Sequence, residues 1–226
     1  MNIIPGRAGK QRVADPHAAD HNGKTRHLGG ILIRLSSTSR RSLLAAFAAS
    51  ALPWRVDLAR GEALLGDDGL YHEPWFLQSF LDLREDLETA RATGKRLAVM
   101  WELRGCPYCR ETHLVNFADD QVTSYIRANF EVLQLNLVGS REVTDFDGQI
   151  ASEKDLAQKY GIRFTPTFQF FADSTDGIAA KAPAAREVAR APGYLKPQHF
   201  LAMFRFVRDK AYETGSFRDF LAKTTG

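Results

Sequence analysis

Trp101-Glu102-Leu103-Arg104-Gly105-Cys106-Pro107-Tyr108-Cys109 carries the only two cysteines of the 226-residue chain, spaced C-x-x-C. Just ahead of it, Leu97-Ala98-Val99-Met100-Trp101 is an unbroken apolar run, which suits a strand buried on both faces. Behind it, Pro107 fits the first turn of a helix, where a missing N–H leaves nothing unpaired. The pair therefore lies where a buried strand hands over to a helix, with Cys106 at the helix N-terminus. Free N–H groups and the helix dipole at that end favour the thiolate form of Cys106. Cys109, one turn on, can reach Cys106 to close a disulfide and is the more shielded sulfur. On the residues alone, Cys106 is the attacking sulfur and Cys109 the resolving one, exchanging through a mixed disulfide.

Two other readings of the pair stand beside this one. A structural disulfide would close only a four-residue loop, which removes little entropy from the unfolded chain and adds little stability. A metal-binding module is the sharper rival, because Cys106, Cys109 and His113 form C-x2-C-x3-H. Structural zinc takes four ligands, however, and the sequence offers no obvious fourth. No metal is expected, and His113 is read as a partly exposed helix residue near the dithiol.

Around the dithiol the chain alternates in type. Residues 81–93 read as a helix, with Leu81, Leu83, Leu87 and Ala90 among charged side chains and Gly94 as its C-terminal cap. The dithiol helix is expected over 107–117, another over 120–129, and a strand over 130–135 from its period-two alternation. Residues 138–151 are polar and rich in turn formers, a loop insertion; Ser152 then caps a helix that runs to Tyr160 and ends at Gly161. A strand over 168–171, a turn over 172–177 and a weaker strand over 187–191 follow. Lys196-Pro197 opens a closing helix whose Phe200, Phe204, Val207 and Ala211 share one face. This order predicts an α/β fold, a sheet covered by helices on both faces. Phe168, Phe170, Phe171, Phe200 and Phe204 are its expected core.

Composition and the N-terminal segment set the outer limits. With 44% hydrophobic and 25% charged residues the chain is ordinary globular protein. Its longest apolar-plus-small run, 43–52, has ten residues, short of the ~20 that cross a bilayer. Arg40-Arg41 precede that run and Ala49-Ser50-Ala51 follow within it, the order of an export signal and similar to a twin-arginine signal of bacteria. Residues 1–51 are thus read as a disordered N-terminal segment with a twin-arginine export signal, with a basic amphipathic tail as the alternative, and 52–80 as an irregular lead-in. Eight Lys or Arg and two Asp fall in 1–51, net +6, which leaves 22 basic and 25 acidic side chains, net −3, for the rest. The body therefore has no basic stripe for phosphates, and nucleic acid is set aside as a partner. Asp145-Phe146-Asp147-Gly148 has a calcium-loop look, but aligning Gly148 on the required glycine puts Val143 and Lys154 where ligands belong.

Ile162-Arg163-Phe164-Thr165-Pro166-Thr167-Phe168 adds a proline at the head of a strand. With it, residues 81–212 resemble the thioredoxin superfamily, in which a C-x-x-C helix faces a cis-proline loop. Gly-Cys-Pro-Tyr-Cys-Arg at 105–110, Asn136-Leu137 and the insertion Ser140-Arg141-Glu142-Val143 resemble in particular the SoxW-type periplasmic thioredoxins of bacterial sulfur oxidation. The resemblance implies a thioredoxin fold over 81–226, with a central mixed sheet. It implies Cys106 and Cys109 as the catalytic pair, a cis Thr165-Pro166 bond, and a substrate groove made by Pro107, Tyr108, Thr165 and Pro166. His72 and Trp101 are further candidates for the groove's flanks.

The implied activity is that of an exported, periplasmic thiol:disulfide oxidoreductase without a cofactor, a reductant serving sulfur oxidation. Its partners would be periplasmic protein disulfides and a membrane electron-transfer protein that re-reduces it. Two departures qualify this. Thioredoxins proper carry Trp-Cys-Gly-Pro-Cys where this chain has Gly-Cys-Pro-Tyr-Cys, so a disulfide-forming oxidant of the same fold stays open. They also keep a buried aspartate six residues before the first cysteine, and here that residue is Met100. Glu102 is the nearest carboxylate, read either as a proton-transfer group for Cys109 or as a solvated strand-end residue.

Overall fold

A computed structural model describes residues 63–224; the expected segment 1–51 and the first part of the lead-in lie outside them. The rest of the lead-in is not irregular. It forms an antiparallel hairpin of β1 (Leu64–Leu65) and β2 (Tyr71–His72), closed by Gly66 N donating to the Leu70 carbonyl at 2.8 Å. Strands this short carry no alternation to read in sequence. Helix α1 (Leu83–Ala92) starts later than expected, because Leu81 has left-handed backbone with φ 65°. Asp82 caps it, its carboxylate accepting from Arg84 N at 2.9 Å and Glu85 N at 3.1 Å, a contribution of about 1 kcal/mol. Gly94, at φ 72°, ends it as expected, in a conformation that glycine adopts without strain.

Strand β3 (Arg96–Glu102) is buried at all seven positions, which is why its sequence shows no alternation. Helix α2 (Pro107–Glu111) runs into a π-helical turn, Thr112–Asn116, where Phe117 N donates to the Thr112 carbonyl at 2.9 Å. Then come α3 (Asp120–Asn129) and β4 (Phe130–Asn136). The expected loop over 138–151 contains a second hairpin, β5 (Glu142–Thr144) with β6 (Ile150–Ser152). Ser152 caps α4 (Glu153–Lys159). Strand β7 (Thr167–Phe171), the short α5 (Pro183–Arg186) and β8 (Glu187–Pro192) lead to α6 (Pro197–Arg208) and α7 (Phe217–Thr224). Ala211 is not part of α6; Lys210 turns left-handed at φ 53° and Ala211 starts a 3₁₀ turn.

The sheet has the order β4-β3-β7-β8, with β3 parallel to β4 and antiparallel to β7, and β8 antiparallel to β7. It is mixed, and each face carries its own core. Ala98, Met100, Val132, Phe168 and Phe170 face α3 and α6 in one cluster, while Leu97, Val99, Trp101, Leu133 and Leu135 face α1 and α4 in the other. Alternate residues of each strand thus enter opposite cores, the three-layer solution for a sheet between helices. The expected phenylalanines are all buried. Phe204 of α6 meets Phe170 edge-on at 5.1 Å and Phe130 at 4.8 Å, contacts worth roughly 0.5–1.5 kcal/mol each beyond the area they bury.

The β5–β6 hairpin is fastened by a buried ion cluster. Arg186 Nη1 lies 2.7 Å from Asp145 Oδ2, Arg186 Nη2 lies 2.8 Å from Asp147 Oδ2, and Lys159 Nζ reaches both carboxylates at 2.7 and 2.8 Å. Asp145 and Asp147, rejected in sequence as a calcium loop, are here ion-pair partners. Among the described residues no helix is long and apolar enough to cross a membrane.

Candidate active site

Gly105 has φ 72°, and this left-handed step lets the chain leave β3 and enter α2 with Cys106 as its N-cap. Cys109 N donates to Cys106 Sγ at 3.1 Å. On the other side Cys106 Sγ donates to the Thr165 carbonyl at 3.5 Å. The Thr165-Pro166 peptide is cis, and the Thr165 contact puts this proline loop beside Cys106. Both thiols are free; Cys106 is half-buried and Cys109 only 3% exposed. Burial, reinforced by the contact with Cys106 and by the charge of Glu102, pushes the Cys109 thiol far above the ordinary thiol range. Burial thus favours the protonated form of Cys109.

The four residues expected to form a groove differ in exposure. Pro107 and Tyr108 are exposed, Thr165 half-buried and Pro166 buried. The Tyr108 ring stacks on Tyr194 at 6.0 Å, and Tyr194 in turn donates its hydroxyl to Asn116 Oδ1 at 3.1 Å. Gly193 N donates to the Pro166 carbonyl at 2.7 Å, tying the two loops together. Trp101 is not a flank of the groove: it points into the second core and its indole N–H donates to Gln169. His72 instead pairs with Asp68 at 3.0 Å on the hairpin.

A cavity of about 450 Å³ opens on the dithiol, with Leu65, Leu70 and Tyr71 of the hairpin on one side and Glu102, Cys106 and Cys109 on the other. Arg104 holds the hairpin there, its Nε donating to the Asp68 carbonyl at 2.8 Å and its Nη2 to that of Asp67 at 3.4 Å.

His113 departs most from expectation. It is 1% exposed, on the π turn, with the rings of Tyr71, Phe76 and Phe117 packed against it. Its Nδ1 lies 2.9 Å from Glu73 Oε1 and its Nε2 3.0 Å from Glu102 Oε1. Glu102 is likewise buried rather than solvated, and accepts a second bond from Gln134 Nε2, which also donates to the Tyr71 carbonyl at 2.7 Å. Burial opposes a charge on His113, but hydrogen bonds to Glu102 and Glu73 outweigh it and hold the imidazole above its ordinary value. With both ring nitrogens bonded to glutamates, His113 is not available to a metal on the cysteines. Among the described residues no group of three or more His, Cys, Asp or Glu side chains is arranged to hold a metal ion.

Cys106, Cys109, Glu102 and Pro166 are residues the sequence points to, whereas Glu73, Gln134, Asn116 and Tyr194 are not. Gln134 carried a signal, a polar residue amid an apolar strand. Glu73, in a segment without periodicity, carried none.

A family model described as a thioredoxin-like domain matches residues 83–208. Among solved structures, a thioredoxin-fold protein from Helicobacter pylori is similar at 19% identity and TM-score 0.48, covering 66% of this chain and 87% of that one. A thioredoxin from Thermus thermophilus is 27% identical with TM-score 0.41, covering 56% and 83%. The C-terminal domain of Neisseria meningitidis DsbD in its oxidised form is 15% identical with TM-score 0.36, covering 54% and 90%. No curated protein sequence matches the chain.

Proposed function

Since the chain belongs to the thioredoxin-like domain family, we propose that it is a thiol:disulfide oxidoreductase acting on protein disulfides through Cys106 and Cys109. The observation that carries this is the pairing of an accessible sulfur at a helix N-terminus with a shielded one a turn behind, beside a cis-proline loop. Cys106 Sγ attacks one substrate sulfur, so that a Cys106–substrate bond forms while the substrate's own S–S bond breaks. The released sulfur leaves with the electron pair and takes a proton. Cys109 then gives its proton to Glu102 and attacks Cys106 Sγ. The Cys106–Cys109 bond forms and the second substrate sulfur leaves with its pair, so the substrate gains two electrons and the dithiol loses two. An extended substrate would lie over Pro107 and Tyr108 and pair with the Thr165 backbone next to Pro166.

The finer assignment is a reductant of the periplasm that serves sulfur oxidation and is itself re-reduced by a membrane electron-transfer protein. Support for it comes from the sequence: Arg40-Arg41 before the apolar run and the SoxW-like residues around the dithiol. The Gly-Cys-Pro-Tyr-Cys departure keeps the reverse reaction, disulfide formation on the same atoms, as the second reading. A metal module is disfavoured by the two glutamates on His113.

Cys109→Ser should trap the intermediate, since no internal thiol remains to resolve it. Expressed with its own N-terminal segment in a sulfur-oxidising bacterium, it should accumulate covalent adducts that reductant releases and that vanish when Cys106→Ser is added. No adducts, together with stoichiometric metal on the wild-type protein, would replace this reading with the metal-binding one.

A further inference from the structure

Glu73, Glu102 and His113 form a chain of carboxylate, imidazole and carboxylate behind Cys109. All three are buried, with 4%, 1% and 1% exposure. Each ring nitrogen faces a carboxylate oxygen, at 2.9 and 3.0 Å, so both bonds are made only if the triad holds two protons. An ionised carboxylate accepts and cannot donate. The arrangement that satisfies both contacts with both carboxylates ionised is an imidazolium between two anions, with net charge −1.

Aromatic rings enclose the imidazole. Tyr71 stacks on His113 at 5.7 Å, and Phe76 and Phe117 pack against its ring at 5.8 and 5.4 Å. Besides the glutamates, Tyr71 of β2 is a titratable side chain against the imidazole and Gln134 of β4 is neutral, while Cys106, Cys109 and the cations Arg104 and Arg110 line the cavity that Glu102 also lines. A lone buried carboxylate is costly, and so are two without a cation. His113 offsets one of the two negative charges and leaves the other beside the cavity that Cys109 also lines.

Building on the exchange activity proposed above, we infer that His113, anchored by Glu73 from outside the family-matched region, is the positioning residue that keeps Glu102 ionised and aimed as the base for Cys109. The proton of Cys109 moves to Glu102 across the cavity they share, the triad passes from charge −1 to neutral, and the thiolate attacks Cys106 Sγ. The electrons go to the leaving substrate sulfur as already described, and Glu102 returns the proton to solvent. The segment carrying Tyr71 and Glu73 is thus part of the redox site.

A chromogenic aryl disulfide separates the steps, since Cys106 releases a first aryl thiolate on attack and Cys109 a second on resolution. In His113→Gln two carboxylates share the site without a cation and one keeps a proton to higher pH, so the pH midpoint of the second phase should rise by about one unit or more. The first phase should stay within about twofold, an attack that does not use Glu102. An unmoved second midpoint, or equal slowing of both phases without a change of profile, overturns the inference. Nitrogen NMR of ring-labelled His113 in the wild-type protein needs neither turnover nor a variant that folds. Both ring nitrogens protonated at neutral pH is the expected result, and a bare nitrogen there overturns the inference. A wild-type protein that releases no aryl thiolate at all defeats the exchange reading instead, and the NMR result still decides the state of the triad.

Discussion

Cys106 and Cys109 are chemically alike in the unfolded chain and differ in the protein only by where the strand-to-helix step puts them. Cys106 is half-buried with its sulfur between Cys109 N and the Thr165 carbonyl, whereas Cys109 is closed off and its thiol is pushed up by burial. Reduced protein exposed briefly to an alkylating agent near neutral pH should therefore be labelled at Cys106 and not at Cys109, as peptide mass mapping would show. Label appearing first on Cys109 would contradict the roles assigned to them. The inequality was legible in sequence because a Pro after the first cysteine fixes the helix start. His113 was legible as a residue of interest from its C-x2-C-x3-H spacing. Its burial was not, since a π turn depends on how the next helix packs and leaves no periodic trace.

At the scale of elements, capped helices were the readable part. Gly94 and Ser152 lie where end signals predict, because a cap is satisfied by neighbours in sequence. The β5–β6 hairpin shows in sequence only as a polar loop, because it depends on distant groups: Val143 and Phe146 enter a core built by other elements, and Arg186 arrives from beyond β7 in the chain. Arg186→Met keeps much of the side-chain volume but leaves Asp145 buried with only Lys159 opposite. Unfolding in urea should show a loss of about 3 kcal/mol, and the exchange activity should persist below the new midpoint. A loss under about 1 kcal/mol, the range of exposed pairs, would mean that the cluster does not hold the hairpin.

Across the whole molecule, two cores on a single mixed sheet fix β3 so firmly that the dithiol at its end is carried on a rigid support, while the hairpin held by Arg104 roofs the cavity. The α/β class and the layer order followed from the sequence of element types; the roof did not, because β1 and β2 are too short to alternate. One charge in this frame opposes folding. Asp86 on α1 is pushed up from 3.8 to about 6 by burial, with Asp82 and Glu85 adding and the Ser79 hydroxyl at 2.7 Å opposing. The folded protein holds that proton between about pH 3.8 and 6 while the unfolded chain has lost it, so this group makes stability fall as pH rises through that window. Asp86→Asn should remove the fall, and melting temperatures of the two proteins should diverge in the variant's favour from pH 4.5 to pH 7; parallel curves would contradict it. The central claim, that Cys106 and Cys109 interchange between dithiol and disulfide, is tested most directly by equilibrating the protein with graded mixtures of reduced and oxidised glutathione and mapping its sulfur bonds. The expected result is one two-electron transition to an internal Cys106–Cys109 bond, abolished by serine at either position, with a midpoint nearer the roughly −270 mV of a thioredoxin than the roughly −120 mV of an oxidant. Cysteines that stay free throughout, or that carry glutathione without ever joining each other, would contradict it.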